Sequence, residues 1–209
     1  ATDIIASDKT GTLTLKQMTV EKLYVDRQVY DKTGTIPTDT LAVKIMNYAN
    51  DSRFDKEGKI VGDPTETALI QFGLDLGFDV REEVKKEPRV ADLPFDSDRK
   101  LMSTVHELAD GRFLVAVKGA PDVLLNRVSQ ILVDGKTLPM DEAEKEQILS
   151  ANKNMAKQAL RVLGTAYKLI DAVPSQLVSE ELENDLIFAG LIGMIDPERP
   201  EAAGAVKVA

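Results

Sequence analysis

The chain has 209 residues, 43% hydrophobic and 29% charged, a balance that excludes a disordered or fibrous polypeptide and suits one sizeable domain with fragments of another. Its formal net charge of −9 argues against nucleic acid or an anionic membrane surface as the main partner, so an anionic ligand would need a local basic patch. Zero cysteines exclude a disulfide scaffold and thiolate metal ligation, no signal-peptide pattern opens the sequence, and the longest apolar stretch, Leu186–Ile195, falls short of the roughly 20 residues that cross a bilayer, so this piece is expected to be soluble.

Ile4-Ile5-Ala6 reads as a short buried strand that breaks into Ser7-Asp8-Lys9-Thr10-Gly11-Thr12-Leu13-Thr14, the kind of strand-to-loop junction where α/β folds place reactive groups. Asp8 is the candidate nucleophile. A carboxylate there can attack a phosphoryl group and form an aspartyl-phosphate, which splits one hard transfer into two easier ones. Lys9, the Thr10 and Thr12 hydroxyls and the Gly11 backbone make a suitable phosphate-facing surround.

Residues 15–25 read as extended, with a turn at Asp26-Arg27 that pairs Val29-Tyr30 back. Asp39 is expected to cap a helix through Asn47 that stops at Asn50-Asp51. Asp63-Pro64-Thr65-Glu66 combines an N-cap, a proline at the first helical position and a glutamate three residues after the cap, a capping box that opens a helix to about Leu76. A short charged helical or irregular segment (78–86) precedes three strands over 90–95, 101–108 and 113–118, an antiparallel meander. Lys118-Gly119-Ala120-Pro121 then leads into a helix to about Arg127, and Asp134-Gly135-Lys136 marks a hairpin. Asp141 should cap the longest helix, with Ile148, Ala151, Met155 and Ala159 on its apolar face. Residues 161–167 read as a strand, 171–185 as a surface excursion and 187–195 as a buried strand, followed by the loop Asp196-Pro197-Glu198-Arg199. The lone His106 reads as a surface or edge residue, and no metal-ligand cluster stands out. Meander strands with segregated helices give an α+β fold: an antiparallel sheet flanked by helices.

Asp8-Lys9-Thr10-Gly11-Thr12-Leu13-Thr14 resembles the phosphorylation signature of the P-type cation-transporting ATPases. Asp63-Pro64-Thr65-Glu66, Phe95-Asp96-Ser97-Asp98-Arg99-Lys100-Leu101-Met102, Lys118-Gly119-Ala120-Pro121, Arg161-Val162-Leu163 and Asp196-Pro197-Glu198-Arg199 resemble that family's nucleotide-pocket and return segments, in the family's order. Some relatives carry Arg where Ser97 stands, and the family's loop has a second proline where Glu198 stands. The resemblance, greatest to bacterial calcium-type pumps, implies a nucleotide-binding domain (17–188) between short α/β phosphorylation-domain stubs (1–16 and 189–209). It implies Glu66 on the adenine amino group, Phe95 stacked on the base, Lys100 and Met102 beside the nucleotide, Lys118 and Gly119 at the pocket floor, Arg161 toward the phosphates, Leu163 as a further nucleotide-binding residue, and Asp196 and Arg199 bridging to the phosphorylation site with Asp8, Lys9 and Thr10. Lys100, Lys118 and Arg161 would form the basic patch that the net charge requires. The implied ligands are ATP and Mg²⁺. In the full-length protein the metal would be held by Asp8 and the Thr10 backbone carbonyl, with partners from a later Asp-rich loop that this sequence does not contain. The implied setting is the cytoplasmic face of a membrane, with the remaining phosphorylation, actuator and transmembrane domains as partners, and little or no turnover by the fragment alone. Two other readings remain open: a haloacid dehalogenase-like phosphatase, although Thr10 stands where such enzymes usually carry a general acid, and a nucleotide-binding module without catalysis.

Overall fold

A computed structural model describes residues 4, 6–13, 17–37 and 41–208; Ile5, the expected Asp39 cap and the Thr10 side chain lie outside what it describes. Its centre is β11 (Leu186–Ile195), whose near-continuous apolar run is that of a strand covered on both faces. On one edge β11 pairs antiparallel with β10 (Arg161–Ile170). On the other it pairs antiparallel with β1 (Thr19–Val25) along Leu191–Ile195 and parallel with β8 (Val128–Val133) along Leu186–Phe188. Beyond β10 lie β7 (Phe113–Gly119), β6 (Leu101–Glu107) and β5 (Arg89–Asp96), the expected meander. Beyond β1 lies β2 (Gln28–Asp31), reached through Asp26 (φ 51°) and Arg27 (φ 63°). Two consecutive left-handed residues twist a two-residue turn the same way as its strands. The hairpin of β8 and β9 (Lys136–Pro139) turns on Asp134 and Gly135, again both at positive φ, and β3 (Arg53–Phe54) pairs with β4 (Ile60–Val61) in a small separate sheet.

Helices cover both faces, which the period-two alternation of the strands keeps distinct. In β7, Leu114 and Ala116 join a core with α1 (Leu41–Tyr48) and α2 (Pro64–Asp75), while Val115 and Val117 face the opposite way, toward Leu124 of α4 (Pro121–Leu125) and Leu182 of α6 (Ser179–Leu182). α3 (Val80–Lys86) lies beside α1, and Ile148, Ala151 and Met155 of α5 (Glu142–Lys157) fill a third cluster under β11.

The architecture is the expected antiparallel sheet with flanking helices, and several local expectations change. Ala159 lies past the end of α5 at φ 61°, exposed, and Leu160 is buried in its place. The stretch 171–185 is not wholly a surface excursion, because Leu182 and Glu183 are buried. His106 is 1% exposed rather than at a surface. It stacks on Tyr48 at 4.1 Å between ring centroids and contacts the Glu87 carbonyl at 3.1 Å and Thr104 Oγ1 at 2.9 Å. The expected strand at residues 4–6 is not formed by its described members, Ile4 and Ala6; Ile4 is 84% exposed. The expected boundary between 188 and 189 falls inside β11.

Candidate functional site

The strand register gathers the candidate pocket residues at one end of the sheet. Met102 pairs with Lys118, Lys118 with Thr165, and Gly119 with both Leu101 and Gly164. Phe95 stands one residue before the end of β5, Lys100 just before β6, Arg161 and Leu163 open β10, and Asp196 follows the last residue of β11. Alternation turns Met102, Lys118 and Thr165 toward the α1–α2 face.

α2 brings the acidic partner to this end. Asp63 Oδ1 accepts from the Thr65 N–H at 2.9 Å and Pro64 occupies the first turn, which fixes where the helix begins. The capping box is only half formed, because the Glu66 carboxylate is engaged elsewhere. Its Oε1 pairs with Lys118 Nζ at 3.1 Å, and its Oε2 accepts from the Asp51 N–H at 3.1 Å. Lys118 is 6% exposed. Burial pulls its pKa below the ordinary lysine value, against the upward pull of Glu66, Asp51 and Asp63. One residue earlier, Thr65 Oγ1 accepts from Arg161 Nη1 at 3.0 Å. Lys118 is therefore already compensated, and the three expected cations do not form a simple basic patch.

The Phe95 ring is 61% exposed, unusual for a large apolar side chain and necessary for one that stacks on a base. Met102 is buried beneath the same end. Gly119 has a packing reason of its own: a Cβ there would lie 2.2 Å from the Lys100 carbonyl oxygen. Lys100 itself is exposed at φ 58°.

The two chain-terminal segments meet. Lys9–Leu13 forms one wide π-type turn, and Arg199 donates to the Leu13 carbonyl from its backbone N–H and to the Gly11 carbonyl from Nη2, both at 2.8 Å. A cavity of about 350 Å³ lies between this turn and the start of α2, lined by Lys9, Asp63, Thr65, Arg161, Asp196 and Glu198 among others. Asp8 is exposed next to it in sequence. Among the described residues no three His, Asp or Glu side chains converge as a metal site. A Mg²⁺ held by Asp8 and the Thr10 carbonyl would need further ligands.

A family model described as "P-type ATPase, cytoplasmic domain N" matches residues 40–201. The chain belongs to the P-type ATPase family. It is 42% identical over 201 residues to calcium-transporting ATPase 1 of Lactococcus lactis, covering 95% of this chain and 23% of that protein. It is also 42% identical over 207 residues to calcium-transporting ATPase 1 of Bacillus cereus (97% of this chain, 23% of that protein) and 37% identical over 212 residues to a calcium-transporting ATPase of Listeria monocytogenes (99% and 24%). This P-type ATPase chain thus spans about a quarter of the length of those relatives. Two groups at its sheet end escaped the sequence. Asp51 offers only a backbone N–H to Glu66, which no side-chain pattern reveals. Arg99, a member of the 95–102 stretch with no role assigned from sequence, forms an ion pair with the buried Glu183.

Proposed function

We infer that the chain is the nucleotide-binding domain of a P-type cation-transporting ATPase of the calcium type, acting at the cytoplasmic face of a membrane. It presents ATP for phosphoryl transfer to Asp8 in the whole pump, with the other pump domains as partners. The observation that carries this is the buried Lys118–Glu66 pair on the sheet end that also holds the exposed Phe95 ring. Phe95 stacks on the base, and Glu66, which offers acceptor sites only, takes the adenine amino group. Lys118, Gly119 and Met102 form the floor. Arg161 presents a planar fork to phosphate oxygens, with Lys100 and Leu163 alongside. Asp196 and Arg199 connect this pocket to the turn carrying Lys9 and Thr10. An Asp8 carboxylate oxygen attacks the γ-phosphorus, the bond to the β-phosphate oxygen breaks, and ADP leaves. Mg²⁺, when bound with ligands from beyond this chain, neutralises phosphate charge. We place the change of domain after β11 instead of at 188, a reading supported by residues 189–195 continuing the central strand.

Titrating ATP into the chain and into Phe95→Ala and Lys118→Ala, read by NMR shifts and thermal stability, tests the reading. Saturable binding that each substitution weakens by about tenfold or more is expected from losing a stacked ring or a pocket charge. Millimolar ATP that moves neither signal sinks it. Transfer of labelled phosphate to the wild-type chain and not to Asp8→Asn would reject the reading as a module without catalysis.

A further inference from the structure

The turn that presents Phe95 and Lys100 is held from behind by a buried acid. Glu183 is 0% exposed and sits between α6 and β11. Its Oε1 pairs with Arg99 Nε at 2.6 Å and accepts from Ser179 Oγ at 2.6 Å, and its Oε2 accepts from Ser103 Oγ. Ser103 alternates with Met102 along β6, so this cluster lies on the sheet face opposite Lys118. Arg99 Nη2 reaches forward from the same fork, donating to the Pro94 carbonyl at 2.8 Å and the Leu101 carbonyl at 3.0 Å. Those carbonyls belong to the two strands flanking the turn, and Pro94 immediately precedes Phe95. Within the turn, Asp96 Oδ1 accepts from the Asp98 and Arg99 N–H groups at 2.9 and 2.8 Å, and the Asp96 carbonyl accepts from the Lys100 N–H at 2.6 Å.

We propose that Arg99 and Glu183 are positioning residues for nucleotide: the buried pair fixes the 94–101 turn so that the Phe95 ring and Lys100 stand ready before ATP arrives. The proposal rests on the nucleotide-binding reading of this sheet end. A guanidinium suits the task because its rigid planar fork serves the carboxylate and both strand carbonyls at once, which a single ammonium cannot. An exposed ring held in place before binding loses less freedom on stacking, so the cluster acts on affinity without touching the ligand.

Arg99→Lys keeps the charge facing Glu183 and removes the fork. Its turn amides at positions 98, 99 and 100 should exchange with solvent about tenfold faster or more, the α2 amides should be unchanged, and ATP should bind about tenfold more weakly. In a Phe95→Ala background the same substitution should weaken ATP by less than about threefold, since most of what it positions is gone. Unchanged exchange in the turn overturns the proposal, and so does an equal affinity loss in both backgrounds, the signature of a general effect on the fold. If the wild-type chain binds no ATP, the underlying reading falls with it. If it binds and Phe95→Ala weakens it while Arg99→Lys does not, only the positioning role falls. Should Arg99→Lys fail to fold, Glu183→Gln, which keeps shape and hydrogen-bonding capacity toward the serines, is read the same way.

Discussion

Two buried ion pairs stand back to back across one end of the sheet. On the α6 side, Glu183 is sealed and its carboxylate is shared among Arg99, Ser103 and Ser179. On the α2 side, Lys118 is sealed, yet its partner Glu66 keeps part of its side chain in solvent and is otherwise held, among the described residues, through the Asp51 N–H. A saturated pair resists exchange of partners and is suited to fixing a backbone. A pair with one half-open member can trade its partner for a ligand, because the group left behind finds water or ligand instead of empty interior.

The contrast predicts opposite costs. Glu183→Ala leaves a guanidinium beside an apolar cluster and should lower unfolding stability by about 4 kcal/mol in urea. Lys118→Met fills the same volume with an apolar side chain and leaves Glu66 reachable by water. It should change stability by about 1 kcal/mol or less while abolishing most ATP affinity. Equal destabilisation by the two would show that both pairs are structural and remove the distinction.

His106, on the Lys118 face, gives a pH-dependent version of the same contrast. Burial lowers its pKa to about 4, helped by the charges of Arg89 and Lys44 and opposed by the Glu87 carbonyl bond and carboxylate. The folded value lies below the unfolded one. Its contribution is therefore fully present above about pH 6.5 and lost as pH falls toward 4, on the order of 3 kcal/mol. Glu87 also loses stability on acidification: burial raises its pKa, but bonds from Lys44 and Tyr48 outweigh that and hold it low. Urea unfolding at pH 7 and pH 4.5 should show a shallower decline for His106→Gln than for wild type. Parallel declines would mean that His106 is already protonated or readily solvated.

His106 also shows where the sequence stops informing. Alternation around it identifies β6 correctly, but alternation does not say which face a helix will cover, and α1 brings Tyr48 over the ring. The same limit hid Glu183. It stands among Glu180, Glu181 and Asp185, a composition that reads as solvated surface, and one of its partners, Ser103, is 80 positions away. What was legible depended on local chemistry: the Asp63-Pro64 helix start, the left-handed turn residues and the apolar run of β11 each act within a few residues. The gathering of Phe95, Lys118 and Arg161 came from resemblance, and strand register supplies its physical cause. Ile4 and Ala6, the described members of the expected first strand, do not join one, because apolar composition alone does not provide a neighbour to pair with.

The smallest effect tests how the open pair is supported. Asp63 caps α2, the helix that carries Thr65 and Glu66, whereas Asp141 caps α5 by the same kind of bond, accepting from the Glu144 N–H at 2.8 Å. Either Asp→Ala change should cost about 1 kcal/mol of stability, the usual loss for an N-cap side chain. Fraying the first turn of α2 moves the hydroxyl that holds Arg161 and the carboxylate that holds Lys118, so Asp63→Ala should also weaken ATP a few-fold. Fraying α5 reaches neither group, so Asp141→Ala should leave ATP affinity unchanged at matched stability. If both weaken ATP alike, the pocket is responding to global stability, and the start of α2 has no special hold on the Lys118–Glu66 pair.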